Sequence, residues 1–320
     1  LRSLQEPGDV VTFSAATVEP GQVSGWAAYL AGVFWSLRHS GHEVPDLNLV
    51  VDGGVPLGAG LSSSAALECA AAVAIDSVAR LGLGRTAIAR AAQRAENDFV
   101  GAPTGIMDQM ASMHGRAGHL VFLDTRSLDV TSVPLPLAEA GLSLLVVDSR
   151  APHAMVDGQY GERRTSCGDA ARLIGVRALR DITLTGLDDA LGQLPDDQTR
   201  RRVRHVVTED ARVLQVVSLL RAGDDPRTIG PALTASHESM RVDFEITVPP
   251  VDLAVSTALA AGAYGARMTG GGFGGCVIAL VDAASADRVF DAISIAFADE
   301  GFAAPVRIPA VASDGAGQLY

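Results

Sequence analysis

Apolar positions recur along the chain in two rhythms, one helical and one extended. Residues 23–39, VSGWAAYLAGVFWSLRH, set Trp26, Tyr29, Leu30, Val33 and Phe34 at helical spacing. The run LSSSAALECAAAVAIDSVARLG (61–82) predicts a long helix, capped by serine and stopped by Gly82. A further helix is expected from about Thr86 to Val100, then a loop, GAPTG (101–105), and another helix at IMDQMASM. GDVVTFSAA (8–16), LNLVVDGGVP (47–56), HLVFLD (119–124) and LSLLVVDS (142–149) read as strands. Arg-rich helices follow. Near the end, AYGARMTGGGFGGCVIALVD (263–282) is a glycine turn running into a buried strand. SADRVFDAISIAFADEG then reads as a helix and PVRIPAV (305–311) as a last strand.

These elements alternate irregularly, without the repeated β-α unit of a doubly wound sheet. An α+β protein of two lobes fits that order better. At 320 residues the chain is long enough for two domains, and the expected break lies near residues 148 to 152, giving domains 1–148 and 149–320. No internal repeat or low-complexity segment interrupts it.

Composition narrows the function. A net charge of −12 argues against a general nucleic-acid binder, which needs a basic footprint. The 25 basic residues are all arginine. Without lysine, Schiff-base chemistry is excluded, and so is a Walker-type phosphate loop. Cys69, Cys167 and Cys276 lie far apart in no metal-ligand pattern, which points to a reducing compartment, the cytoplasm. No apolar stretch reaches the length of a membrane span. The run Arg200, Arg201, Arg202 and Arg204 reads as a solvated helix face rather than a nucleic-acid site. His237 and Glu238 lack the second histidine of a zinc-protease motif.

Three stretches carry chemistry. In VPLGAGLSSSAALE (55–68), Gly58 and Gly60 permit close backbone approach, and the serines open a helix whose unpaired N–H groups favour an anion. The second glycine of a nucleophile elbow is missing, so that alternative is disfavoured, and an ordinary serine cap stays open. In RAENDFVGAPTGIMDQM (94–110), Glu96 and Asp108 stand at either end of a loop rich in Gly and Pro. One acid could hold a metal and the other face a hydroxyl, or each could simply be a helix-end charge. In RMTGGGFGGCVIAL (267–280), glycines abut an apolar strand and mark a close backbone approach.

Together, PLGAGLSSSAA, GIMDQ and MTGGGFGG resemble the GHMP small-molecule kinases, and within them the galactokinase branch. GWAAYLAGV (25–33), QYGERR (159–164), RHVVTE (204–209) and TASHESMR (234–241) resemble the same branch. The resemblance runs from about residue 20 to about residue 310. It implies a two-lobed fold, with an N-terminal lobe like ribosomal protein S5 domain 2 and a ferredoxin-like C-terminal lobe. It also implies transfer of phosphate from ATP to galactose at C1 with Mg²⁺, by a cytoplasmic monomer binding neither nucleic acid nor membrane. On the family pattern, the backbone of Gly58, Ala59, Gly60, Leu61, Ser62, Ser63 and Ser64 would wrap the nucleotide phosphates. Ser64 and Glu96 would be the Mg²⁺ ligands, and Asp108 the acid facing the sugar hydroxyl. Gly105 and Tyr160 match positions that line the sugar; Trp26 and Tyr29 match aromatic positions near adenine. Gly270, Gly271, Gly272, Gly274 and Gly275 would support the phosphate turn.

One family segment is missing. Galactokinases open with a stretch of the form G-R-V-N-L-I-G-E-H-x-D-Y, which contacts the sugar and places an arginine beside the catalytic acid. GHEVPD (41–46) shares a His and a Glu with it, but in the wrong place. Because the chain begins at Leu1 rather than Met, the expectation is an incomplete N-terminus and a first lobe short of edge strands. A true truncation and a sensor that binds without turnover stay open beside it. Intact Ser64, Glu96 and Asp108 favour chemistry.

Overall fold

The computed structural model describes residues 1–55, 60–151 and 156–319. The chain divides into two compact units, Leu1–Ser132 with Ala312–Tyr320, and Val133–Val311. The division falls before the expected one at 148–152, because LSLLVVDS forms a central strand of the second unit's sheet. The last residues return to the first unit.

The first unit is mainly helical. α1 (Trp26–His39), α2 (Ser63–Ala79), α3 (Arg85–Arg94) and α4 (Met107–His114) bury Leu30, Phe34, Ile75, Ile88 and Met110 in one core. Between α3 and α4, Ala95–Val100 forms a π-helical turn ended by Gly101 at φ 89°. The expected helix from Thr86 to Val100 therefore changes pitch at Ala95. Such single π turns are frequent at functional sites. β1 (Arg2–Ser3) pairs in parallel with β2 (Val50–Val51), and β3 (His119–Leu123) pairs with β4 (Val130–Pro134).

Two strand expectations are corrected here. Residues 8–16 form no strand; Val10 makes one isolated bridge to Arg2. Among the described residues 47–55, only Val50 and Val51 are extended within a ladder. β-branched content suits a strand, but a strand also needs a partner edge, and the edge these segments meet is the two-residue β1.

α2 is shorter than its sequence pattern. It stops at Ala79, where Arg80 turns left-handed at φ 53° and its N–H donates to the Asp76 carbonyl. At its start, Ser62 is also left-handed, at φ 58°, and makes no side-chain cap bond. A left-handed backbone is not the extended geometry from which a serine oxygen reaches the next turn. The expected serine cap is thus absent, and the helix opens with its first N–H groups uncapped by that hydroxyl.

In the second unit, a four-stranded antiparallel sheet runs in the order β6 (Gly265–Met268), β7 (Cys276–Asp282), β5 (Leu142–Asp148), β8 (Val306–Ile308). α9 (Pro249–Ala260) and α10 (Ala286–Asp299) pack on it through Val251, Ala258, Val289, Ile293 and Phe297. A second cluster joins α5 (Val156–Ile174), α6 (Leu187–Gly192) and α7 (Asp197–Ala222). α7 begins at Asp196, whose carboxylate accepts from Thr199 N at 2.8 Å, and ends at Gly223 with φ 79°. α8 (Gly230–Ser239) completes this unit's long helices. No helix among the described residues is long and apolar enough to cross a membrane.

The basic run on α7 is a correction too. Arg202 is 1% exposed, bonded to the Asp243 carbonyl and paired with Glu245. Arg201 meets the same carboxylate at 3.2 Å, and Arg204 meets Asp243 at 3.3 Å. The acids lie on the turn after α8, far along the sequence, so the run alone reads as solvated.

Candidate active site

The first unit gathers two carboxylic acids around one amide. Glu96, in the π turn, is buried, and its Oε2 accepts from Gln109 Nε2 at 2.6 Å and from Thr104 Oγ1 at 3.0 Å. Gln109 Nε2 also reaches Glu68 Oε2 at 3.5 Å. Glu68 and Gln109 are both fully buried. Asp108 precedes Gln109 in the first turn of α4 and stays half-exposed, where its negative charge suits the helix N-terminus.

Local sequence explains the arrangement. Glu68 lies four residues after Ser64 on α2, so both occupy one helix face. The loop after the π turn is pinned: Thr104 N donates to Asn97 Oδ1 at 3.0 Å, and Asn97 Nδ2 donates back to Thr104 O at 3.2 Å. Gly105, next in the loop, is exposed, and a Cβ there would meet open space. Burial, reinforced by the Glu96 carboxylate, pushes the Glu68 carboxyl up to about 9 against the pull of its Gln109 bond. Glu68 is therefore neutral near pH 7. Neither Glu68 nor Gln109 was singled out by sequence reasoning. The available signals were a lone acid in an alanine-rich run and a polar residue directly after Asp108.

An apolar cavity of about 370 Å³ lies beside the start of α2, lined by Trp26, Leu30, Val51, Ser63, Leu67 and Ala70 among others. Trp26 Nε1 is buried with no hydrogen-bond partner among the described residues. Tyr29, half-buried, does not line this cavity. Gly60 takes φ 70°, and Leu61, Ser62, Ser63 and Ser64 are half-buried at the helix entry. Gly58 and Ala59 lie outside the described residues.

The second unit holds the remaining expected residues. Gly270, Gly272, Gly274 and Gly275 all have positive φ, and so does Phe273, at 61°. The run is thus a folded turn rather than a flexible linker. Phe273 N donates to Ile246 O at 2.6 Å, and Ser149 Oγ donates to Gly275 O at 2.7 Å. Tyr160, on α5, borders a cavity of about 290 Å³ with Gly270, Gly271, Phe273 and Arg163.

The other family-like segments form a polar network in this unit. Glu209 accepts from Ser236 and pairs with Arg212 at 2.8 Å and Arg267 at 3.0 Å; these partners hold its carboxyl below the usual range. His205 stacks on Phe244 with ring centroids 4.3 Å apart and meets Ser239 Oγ at 3.0 Å. RHVVTE and TASHESMR therefore interlock as scaffold.

Comparison with known proteins places this architecture. The family model for the GHMP kinases N terminal domain matches residues 28–116, and that for GHMP kinases C terminal matches 216–299. The chain belongs to the GHMP kinase family, in its galactokinase branch. A galactokinase of Streptomyces coelicolor is 51% identical over 320 residues, covering 100% of this chain and 82% of that one. A Mycobacterium tuberculosis galactokinase is 46% identical over 299 residues, 93% of this chain and 82% of its own. The crystal structure of Lactococcus lactis galactokinase complexed with galactose superposes with a TM-score of 0.90 at 28% identity, covering 98% of this chain and 82% of that chain. A mevalonate kinase structure, at TM-score 0.59 and 16% identity over 87% of this chain and 76% of that one, shares the fold.

Proposed function

We propose that this chain transfers the γ-phosphoryl group of ATP to the C1 hydroxyl of galactose, giving galactose 1-phosphate and ADP. The observation that carries this reading is the 51% identity to a galactokinase along the whole chain. The bond from Gln109, the residue after Asp108, to buried Glu96 agrees with it.

Phosphoryl transfer asks little covalent work of a protein. Its transition state is loose, so rate comes from in-line positioning and from neutralising charge. Because the chain has no lysine, the backbone amides of Gly58 to Ser64 and the start of α2 hold the phosphates. Trp26 and the cavity beside it receive the adenine. Asp108 faces the sugar hydroxyl, where its carboxylate orients the O–H and raises the oxygen's nucleophilicity. Gly105, exposed in the loop before Asp108, lines the sugar.

Ser64 and Glu96 offer a hydroxyl and a carboxylate, hard oxygen donors of the kind Mg²⁺ prefers. Among the described residues, both side-chain hydrogen bonds to the Glu96 carboxyl fall on Oε2, which leaves Oε1 for such an ion. Bound there, Mg²⁺ would neutralise charge on the phosphate oxygens. We place the protein in the cytoplasm as a monomer.

The test is a coupled ADP-release assay of the parent and of Asp108→Asn. With galactose the parent turns over, and the variant loses about 10²–10⁴-fold while keeping its nucleotide affinity. Unchanged turnover in Asp108→Asn would refute the role given to that acid.

A further inference from the structure

Glu68 and Gln109 carry no role in the reading above, yet the site's acids are organised around them. The Gln109 side-chain nitrogen lies 2.6 Å from Glu96 Oε2 and 3.5 Å from Glu68 Oε2. An amide NH₂ has two hydrogens, so one group supplies both carboxyls. A flipped amide would set its oxygen 2.6 Å from Glu96 Oε2, which already accepts from Thr104, so the donor orientation is fixed by its surroundings.

The arrangement leaves polar atoms unsatisfied. Gln109 Oε1 and Glu68 Oε1 are buried without partners among the described residues. Native interiors rarely keep such atoms, and those they keep call for an explanation. An apolar pair would fill the same space without leaving orphans.

Position supplies the explanation. α2 carries Ser64 one turn before Glu68; the π turn carries Glu96; α4 carries Asp108 directly before Gln109. Gln109 is the side chain that ties these three segments together. With Thr104 it occupies Glu96 Oε2, which fixes the direction of Oε1.

We propose that Gln109, seated by Glu68, is a positioning residue that aims the Glu96 carboxylate at Mg²⁺·ATP and couples it to the helix carrying Asp108. This inference rests on the phosphoryl-transfer reading of the same site. Groups that orient a metal's ligands contribute about 10–100-fold to metal affinity or activity.

The test is calorimetry of a non-hydrolysable ATP analogue, with and without Mg²⁺, on the parent, Gln109→Met, Glu68→Leu and Glu68→Gln. Gln109→Met keeps the side-chain length and removes the donor. Its affinity for the metal-free analogue stays at the parent's value, and the gain on adding Mg²⁺ shrinks by about 10–100-fold. The Mg²⁺ concentration for half-maximal turnover rises by a similar factor, with the galactose KM unmoved. Glu68→Leu moves the same way, and Glu68→Gln, which can still bond the amide, recovers part of the loss. A Gln109→Met protein with the parent's Mg²⁺ gain overturns the proposal. Should Gln109→Met fail to fold, the Glu68 pair decides: equal Mg²⁺ gains in Leu and Gln overturn it, and a larger gain in Gln supports it. A parent with no Mg²⁺ gain at all overturns the underlying reading, and the proposal with it.

Discussion

Substituting Gly272 by alanine separates a structural glycine from a permissive one. Gly272 sits at φ 97°, and a Cβ there would lie 2.8 Å from Ile246 Cβ and 2.9 Å from Ile246 O. Backbone strain of this kind costs about 1–3 kcal/mol. Overlap with a main-chain carbonyl that cannot swing aside adds about 1–3 kcal/mol. The neighbouring Phe273 N–H bond to that same carbonyl would be disturbed as well. A total near 4 kcal/mol is expected, and for a unit of this size each kcal/mol lowers the midpoint by about 2–4 °C. Gly271 is the control: its φ is not in the left-handed region, and the nearest atom to an added Cβ is Tyr160 Cδ2 at 3.9 Å. Differential scanning calorimetry should show Gly272→Ala melting roughly 8–16 °C below the parent, and Gly271→Ala within about 2 °C of it. Equal melting of the two variants would refute the reasoning.

Two further outcomes concern the second unit's polar network. Glu245→Ala removes the carboxylate that pairs with buried Arg202; loss of about 2–3 kcal/mol is expected by urea unfolding. That lies below the range for a fully buried pair because Glu245 is 44% exposed, and no change in the urea midpoint would contradict it. Burial holds His205 down to about 4, whereas the unfolded chain takes its proton near 6.5. Stability should therefore fall as pH drops from about 6.5 to 4, by at most ~1.4 kcal/mol per pH unit, and His205→Gln should flatten that slope. Unfolding curves at pH 7 and pH 5 for both proteins measure it, and identical slopes would show the histidine is not responsible.

Much of the helical framework was legible because its apolar spacing is strong. Trp26 to Phe34, the alanine-rich α2 and the Ala286–Asp299 helix lie where the pattern puts them. The glycine run was legible as a close backbone approach, since glycine is the residue that takes φ near 97° cheaply. Strands of the first unit were over-read: Val10 to Phe13 have strand composition, but composition does not supply a pairing edge. The serine start of α2 was read correctly as a helix entry and wrongly as a side-chain cap, because the left-handed turn at Ser62 cannot be seen in SSS.

The site was readable only as far as exposed chemistry goes. Glu96 and Asp108 stand out beside glycines, whereas Glu68 hides among alanines and acquires its meaning from Gln109, 41 residues away. Arg202 was misread for the same reason, since its partners Asp243 and Glu245 come from another element. Long-range pairing of buried polar groups leaves no local periodicity to detect.

The most direct test is phosphorus NMR of the reaction of the purified chain with ATP, Mg²⁺ and galactose, run beside mevalonate and homoserine. The account predicts one new phosphomonoester signal, with galactose only, split by the anomeric proton. A phosphate on another hydroxyl, or product from mevalonate or homoserine but none from galactose, would contradict it.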